Sequence, residues 1–548
     1  MIFPNRSPSS GERIPALHAL HSSYNTVMLH RSFLLITGRR FSVAAVYLGL
    51  HLACLFGALQ VRAEISTPAF FSDGMVLQRE GDAKVWGKTD PGTELKATFG
   101  DVSLSTTSDE QGKWSFTFKN LKADTTGKTL TISSAKEKKV INDVLVGEVW
   151  LASGQSNMEW TVNKTSSKLE ANTANDSLLR VYVSANIARG YPQTDLPGSW
   201  KATKPGNTGG FTSVGYNFAR KLRAELDVPV GVIECAWGGK TIQSFISREA
   251  LENLPEAKKM FGPQLKVLAG PDFVKAQANY QAAFESHADA LKKWEQNKQG
   301  KKPEPPRQPN DPGRNPFYVC SIYNGMVAPF VGYGIRGALW YQGESNAKGG
   351  SSHFYAKLQE TLIKDWRARW GKDFSFYYVQ LAAYHAPKKQ MWVTVQDQQR
   401  RVLDMVPGTG MAVITDVSSL KNIHPPNKKD VGERLARWAL HHDYGKSDVI
   451  VSGPLYQSSK VDGSSLVLSF KHAKGLKASD EKPLQHFELS DKDGKWHSAK
   501  AEIKGDTIVL TSDQVTEPVH ARYAWNAVPT GANLTNTTDL PASCFTTE

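Results

Sequence analysis

From Ala69 to about Asn142 apolar and polar positions alternate, with turn signals every few residues. Val85 and Trp86, the Asp90-Pro91-Gly92 turn, Leu95/Ala97/Phe99 and Trp114/Phe116/Phe118 after Gly112 carry the pattern. Period two with short turns predicts antiparallel strands and an all-β sandwich. We read this region as a structural appendage rather than an independent glycan-binding module.

At Val144 the pattern changes. The run V-L-V-G-E-V-W-L-A-S-G-Q-S-N-M-E-W, Val144 to Trp160, is apolar on successive positions and then stops at a glycine and a serine. Such a run predicts a strand buried on both faces of a parallel sheet, with Gly154-Gln155-Ser156-Asn157 as the loop at its carboxyl end. Helical spacing follows in Val214/Phe218/Leu222, and a buried strand, Val230 to Glu234, leads to Trp237-Gly238-Gly239. Phe273 to Trp294 has helical spacing, and the Pro/Lys/Asn-rich stretch from Gln299 to Pro316 is an excursion from the core. Ile335 to Tyr341 predicts another strand, ending in Gln342-Gly343-Glu344-Ser345-Asn346. Phe354/Leu358/Leu362/Trp366 predict a helix, Phe374 to Leu381 a strand, and Met411 to Thr415 a last strand ending at Asp416. Strand and helix alternating in this way mean a mostly parallel sheet covered on both faces. The final hundred residues return to period two, in Leu466/Leu468/Phe470, Phe487/Leu489 and Ile508/Leu510, and predict a second β-sandwich. The expected organisation is a multidomain chain: a leader at 1–63, a β-sandwich at 64–143, a three-layer α/β domain at 144–445 with its excursion at 270–316, and a C-terminal β-sandwich at 446–548.

Composition changes this picture at the N-terminus. Arg39 and Arg40 precede an apolar run, Phe41 to Leu59, which ends in Val61-Arg62-Ala63. That is the form of a secretory signal, with Met28 as an alternative start, and it implies a secreted or periplasmic protein. An uncleaved membrane anchor is the rival, because the run is about long enough to span a bilayer. Loss of residues 1–63 removes six Arg and one Glu and leaves a formal charge of +8 in place of +13. The dense basic run Lys292 to Arg307 lies in a Pro-rich polar segment without aromatic interleaving, so nucleic acid is not an expected partner. Beyond the leader, Cys235, Cys320 and Cys544 show no metal-ligand spacing and leave room for one disulfide.

In open α/β sheets ligands bind at the carboxyl ends of the strands, which is where Ser156 falls. G-Q-S-N is not the G-x-S-x-G elbow of the α/β-hydrolases, because Met158 stands where the last glycine belongs. A serine hydroxyl needs an imidazole to take its proton and donors aimed at the oxyanion. His424, in Lys421-Asn422-Ile423-His424-Pro425-Pro426 directly before a helical pattern, offers the first. Gly238 and Gly239 offer backbone N–H, and Gln342 or Asn346 a side-chain amide.

Four stretches together resemble the sialate O-acetylesterases of the SGNH hydrolase superfamily: G-E-V-W-L-A-S-G-Q-S-N-M-E-W (147–160), I-E-C-A-W-G-G-K (233–240), L-W-Y-Q-G-E-S-N (339–346) and I-H-P-P-N-K-K-D-V-G-E-R-L-A-R-W-A-L (423–440). Phe71 to Arg79, Arg522 to Trp525 and Gly531 to Asn536 extend the likeness over nearly all of the chain after the leader. The resemblance implies an SGNH (flavodoxin-like) central domain, Ser156 as nucleophile, His424 as base, Gly239 as oxyanion donor with Gln342 and Asn346 competing to complete the hole, and Gln155, Asn157 and Glu344 in support. It further implies hydrolysis of acetyl esters on carbohydrate, with O-acetylated sialic acid first and acetylxylan or another polysaccharide as alternative, and no metal or organic cofactor. A non-catalytic glycan-binding protein is the rival of another class. The superfamily places an Asp two or three residues before the His, where this chain has Lys421 and Asn422. Asp416 is the expected orienting acid, with Asn422 or a main-chain carbonyl as alternatives.

Overall fold

The computed structural model describes residues 64–307 and 309–548. The expected leader, with its Arg39-Arg40 pair and apolar run, lies outside the described residues. Among those described, no helix is long and apolar enough to cross a membrane.

The N-terminal β region holds β1 (Val76–Gln78), β2 (Asp82–Lys88), β3 (Glu94–Phe99), β4 (Val102–Thr107), β5 (Lys113–Lys119) and β6 (Asp124–Ser133). Alternation becomes burial here: Ala83 and Val85 of β2, and Trp114, Phe116 and Phe118 of β5, face inward while their neighbours do not. The two strands pair antiparallel with Val85 opposite Phe116, and β3 lies between β4 and β6.

Strand β7 (Lys138–Gly154) joins this region to the centre. Its first half pairs antiparallel with β6 and parallel with β1, and from Glu148 onward it pairs parallel with two strands of the central sheet. The boundary drawn at 143/144 therefore falls inside one continuous strand. Its burial passes from one-sided to complete along the strand, and periodicity alone reads that passage as a new element. Fully buried Glu148, where the two halves meet, accepts hydrogen bonds from Arg79, from Gln78 at 3.0 Å and from Arg336 at 2.9 Å. Burial pushes its carboxyl up, but the bonds and charge of Arg336 and the bond from Arg79 outweigh it and hold the pKa low.

The central sheet adds β8 (Asp176–Ser184), β9 (Gly198–Thr203), β10 (Val230–Ala236), β11 (Gly337–Tyr341), β12 (Ser375–Val379) and β13 (Thr409–Ala412). The order is β13-β12-β11-β7-β10-β8-β9, parallel throughout except for β8 with β9. Helices cover both faces: α1 (Ser156–Glu159), α2 (Ser213–Leu226), α3 (Tyr355–Trp370), α4 (Lys389–Met405) and α5 (Lys428–His442) carry the parts that matter below. On one face Trp150 of β7 meets Phe218 of α2 at 4.9 Å, and Trp438 of α5 stacks on Tyr377 of β12. On the other, Trp340 of β11 stands edge-on to Trp366 of α3 at 6.1 Å. The excursion begins as one long helix, Pro271–Asn297.

The C-terminal region has two four-stranded antiparallel sheets, one of strands 455–462, 465–471, 507–511 and 500–504, the other of 496–498, 487–490, 520–523 and 545–546. Leu466, Leu468, Leu489, Ile508, Leu510 and Tyr523 fill a shared core. Cys235, Cys320 and Cys544 are buried free thiols, so the disulfide left open by the sequence is not formed among them.

Candidate active site

At the carboxyl end of β7 the chain must turn out of the sheet against its neighbour. Gly154 has φ +137°, and a Cβ there would lie 2.2 Å from the Tyr341 carbonyl oxygen, so only glycine fits. Gln155 then caps α1, and Ser156 is its first residue. His424 enters from the far side of the chain, in the loop before α5. Its Nε2 lies 2.8 Å from Ser156 Oγ. The imidazole stacks on Trp160 with ring centres 4.6 Å apart and planes 17° from parallel, and its backbone N–H donates to Asn422 Oδ1 at 2.9 Å. Three residues, from α1, the turn after it and the α5 loop, thus fix a hydroxyl against an imidazole.

Asp416 does not join them. Strand β13 ends at Ala412, short of the expected Thr415, and Asp416 sits in the separate turn Thr415–Val417. Its two carboxylate oxygens take Arg434 Nη1 at 2.6 Å and Nη2 at 2.5 Å. No hydrogen bond joins Asp416 to His424, so the expectation that it orients the imidazole is corrected. Asn422 does not replace it at the ring, since its side chain serves the His424 backbone. The pKa of the ring moves down: burial lowers it most, and the charges of Lys428 and Lys164 lower it further. The upward displacement that a close carboxylate would cause is absent. Asp416→Asn is expected to change kcat/KM by no more than about threefold, since the Asp416–Arg434 pair is partly exposed and such pairs contribute ~0–1 kcal/mol. A triad acid would cost roughly 10⁴-fold on the same substitution, and steady-state kinetics of the folded variant separates the two.

The oxyanion donors also differ from expectation in part. Gly238 N–H donates to Glu159 Oε2 at 2.7 Å and is taken. Gly239, at φ +73°, leaves its N–H without a partner among the described residues, and the N–H of Ser156, first in its helix, has no helical carbonyl to meet. Gln342 and Asn346 are both buried and held by their surroundings. Gln342 Nε2 contacts Asn346 Oδ1 at 2.7 Å, Gln155 Oε1 at 3.1 Å and the Lys240 carbonyl at 3.1 Å, while Asn346 Nδ2 donates to Ser351 Oγ at 2.9 Å and Gln243 Oε1 at 3.0 Å. Their amides bind the loops to one another, which corrects the role expected of them. Gln155, by contrast, has its Oε1 fixed by the Ser345 N–H at 3.2 Å, and its Nε2 has no partner among the described residues.

Beneath the pair lies a buried cluster. Asn157 Nδ2 donates to Glu344 Oε1 and, at 3.0 Å, to the Ile423 carbonyl, while its Oδ1 accepts from Lys428 Nζ. One amide thus ties the serine helix to both the Gln342–Asn346 loop and the histidine loop. Lys428 is fully buried, with its ammonium 5.1 Å from the Tyr341 ring centre. Burial pushes its pKa down to about 7 and pushes the Glu344 carboxyl up. Sequence reasoning missed Lys428, since a lysine in the first turn of a helix ordinarily reaches solvent. The available signal was Asn427, the N-cap that sets Lys428 at the head of α5.

Glu159 was missed as well. It accepts from Gly238 N–H and, at 3.0 Å, from Asn186 Nδ2, and with Glu234, Thr161 and Ser184 it lines a cavity of about 260 Å³. Burial pushes Glu234 up to about 8 against a hydrogen bond from the Thr212 N–H, and the charge of Glu159 adds to the rise. Among the described residues no cluster of His, Cys, Asp and Glu has the arrangement of a metal site.

A family model described as carbohydrate esterase, sialic acid-specific acetylesterase, matches residues 146–266 and 312–441, the two segments that carry all four motifs. The chain is similar to a crystal structure of a carbohydrate acetylesterase from Xanthomonas citri, with 31% identity and a TM-score of 0.74 over 88% of this chain and 99% of that one. It is 27% identical to the sialate O-acetylesterase of Rattus norvegicus over 71% of this chain and 74% of the relative, and 26% identical to that of Mus musculus over 84% and 89%.

Proposed function

Because the chain belongs to the sialic acid-specific acetylesterase family of carbohydrate esterases, and is thus a carboxylic ester hydrolase, we propose that it releases acetate from O-acetylated sugars through Ser156 and His424. The observation that carries this reading is the 2.8 Å approach of His424 Nε2 to Ser156 Oγ. With the hydroxyl donating to Nε2, the neutral ring bears its proton on Nδ1. His424 takes the Ser156 proton as Oγ attacks the acetyl carbonyl, and the oxyanion forms against the N–H groups of Ser156 and Gly239 with the Gln155 amide nearby. The sugar alcohol departs with the proton from His424. Water, activated by the same imidazole, then attacks the acyl-enzyme and frees acetate. The ring is kept in place by Trp160 and by the backbone around Asn422, so this is a Ser–His dyad. No cofactor enters these steps. Residues 1–63 are proposed to direct the protein out of the cytoplasm.

Sialate esters are the substrate named in the family description and in the mammalian relatives. One observation favours a second reading. The cavity that Glu159 lines, three residues along α1 from Ser156, also holds Glu234, whose carboxyl burial raises to about 8, and has no cation among its lining residues. A sugar carboxylate placed there meets the charge of Glu159, whereas the hydroxyls of a neutral sugar meet acceptors, which suits acetylxylan or a similar glycan. Acetate release from O-acetylated sialic acid and from acetylated xylan, with Ser156→Ala as control, distinguishes the two. Release from neither overturns the proposal.

The lowered pKa of His424 sets the pH dependence. A base must be neutral, and a group with a depressed pKa stays neutral to lower pH. The acid limb of kcat/KM is therefore expected below the ordinary histidine value of ~6.5, with a plateau from there to about pH 8. A limb centred above 7 would mean that a carboxylate reaches the ring.

A further inference from the structure

A second cavity lies outside the site just described. It is a cleft of about 650 Å³ between the β2/β5 ribbon, the end of β4 and the loop joining β8 to β9. Trp86, Trp114, Lys84, Lys113, Thr107 and Asp195 are among the residues that line it. Trp114 is 3% exposed, and its indole N–H has no hydrogen-bond partner among the described residues. That N–H lies under the surface, so Trp114 offers the cleft only part of its ring. Trp86 presents the partly exposed remainder of a ring whose other side packs on Phe70 and Phe71.

The charges in the cleft are unequal. Three lysines, Lys84, Lys88 and Lys113, face two carboxylates, and Asp195 Oδ1 accepts from the N–H groups of Ala69 at 2.7 Å and Leu196 at 2.8 Å, which turns that oxygen to the backbone. Asp109 does the same for Gln111 at 2.9 Å and Lys113 at 2.8 Å. Lys84 and Lys113 make no ion pair among the described residues, and Lys88 reaches only Glu285, at 3.8 Å and exposed. Indole surface, threonine and serine hydroxyls and ammonium groups without a close ion pair are together the chemistry that holds a sugar ring bearing a negative charge.

We propose that this cleft is an accessory binding site for a saccharide unit that carries a carboxylate, separate from the Ser156 centre and independent of its chemistry. The first β region is then more than an appendage. The loop of residues 185–197 connects the two places, since Asn186 bonds Glu159 beside Ser156 and Asp195 lines the cleft. An acidic residue of a glycan held in the cleft keeps the rest of that glycan on the enzyme.

The test uses the full chain and two probes of equal length, a xylo-oligosaccharide bearing one glucuronic acid and its neutral counterpart, titrated by calorimetry. The acidic probe is expected to bind at least tenfold more tightly than the neutral one. The double variant Lys84→Glu/Lys113→Glu is expected to lose at least tenfold for the acidic probe, with hydrolysis of a small acetyl ester and thermal midpoint unchanged. Thr107→Trp, which fills the cleft without altering its charge, is expected to weaken both probes. Equal binding of the two probes, no binding of either, or undiminished binding by the charge-reversed variant would overturn the proposal.

Discussion

His424→Ala and Ser156→Ala are each expected to lower kcat for acetate release by on the order of 10⁶-fold, the scale on which a hydrolase loses its nucleophile or its base. Changing both residues together is expected to cost no more than either alone, since the hydroxyl is a weak nucleophile without the imidazole and the imidazole has nothing to activate without the hydroxyl. Both side chains stand at the surface of the site, with Ser156 at a helix start and His424 in a loop, so folding survives their loss. Matching thermal midpoints for wild type and variants check this. A His424→Ala enzyme that keeps a hundredth of its activity would mean that another base serves Ser156.

Lys428→Met is expected to lower kcat/KM by on the order of 10²-fold although Lys428 touches neither the substrate nor the hydroxyl. It is a positioning residue. Its ammonium meets Asn157 Oδ1, and Asn157 holds the Ile423 carbonyl next to the histidine. When that bond is lost the serine helix and the histidine loop are free to shift, and a displacement of about 1 Å at a reacting pair costs on this scale. The Asn157 oxygen is left buried and unmatched, so stability falls by about 1–3 kcal/mol. A structural role alone does not predict the second readout. Removing a positive charge beside His424 raises the ring pKa, so the acid limb of the pH profile moves up toward ~6.5. A variant that is less stable yet has an unmoved limb and full kcat/KM would contradict this role.

How much of this was legible before the structure follows from what each residue type declares. Ser156 and His424 stood out because each follows an abrupt change of pattern, an apolar run ending at glycine or a loop ahead of an amphipathic helix, and a parallel sheet brings such loops to one edge. Asp416 misled because its place near the end of a strand says nothing of where a side chain in a short turn points. Arg434, one turn into the apolar pattern of α5, claims it instead. Gln342 and Asn346 had the right chemistry in the right loop, but an amide's partner is decided by tertiary neighbours such as Ser351 and Gln243. Lys428 was hidden by the general rule that lysine is exposed. The break placed before Val144 had the opposite cause, a single strand whose burial passes from one-sided to complete along its length.

Whether Ser156 is the nucleophile is read directly by peptide mass spectrometry after reaction with a serine-directed phosphonate. One phosphonyl group is expected, on the peptide containing Ser156, appearing in step with loss of acetate release, with no labelling once His424 is alanine. Full inactivation with the label on any other residue, or undiminished acetate release by Ser156→Ala, would contradict it.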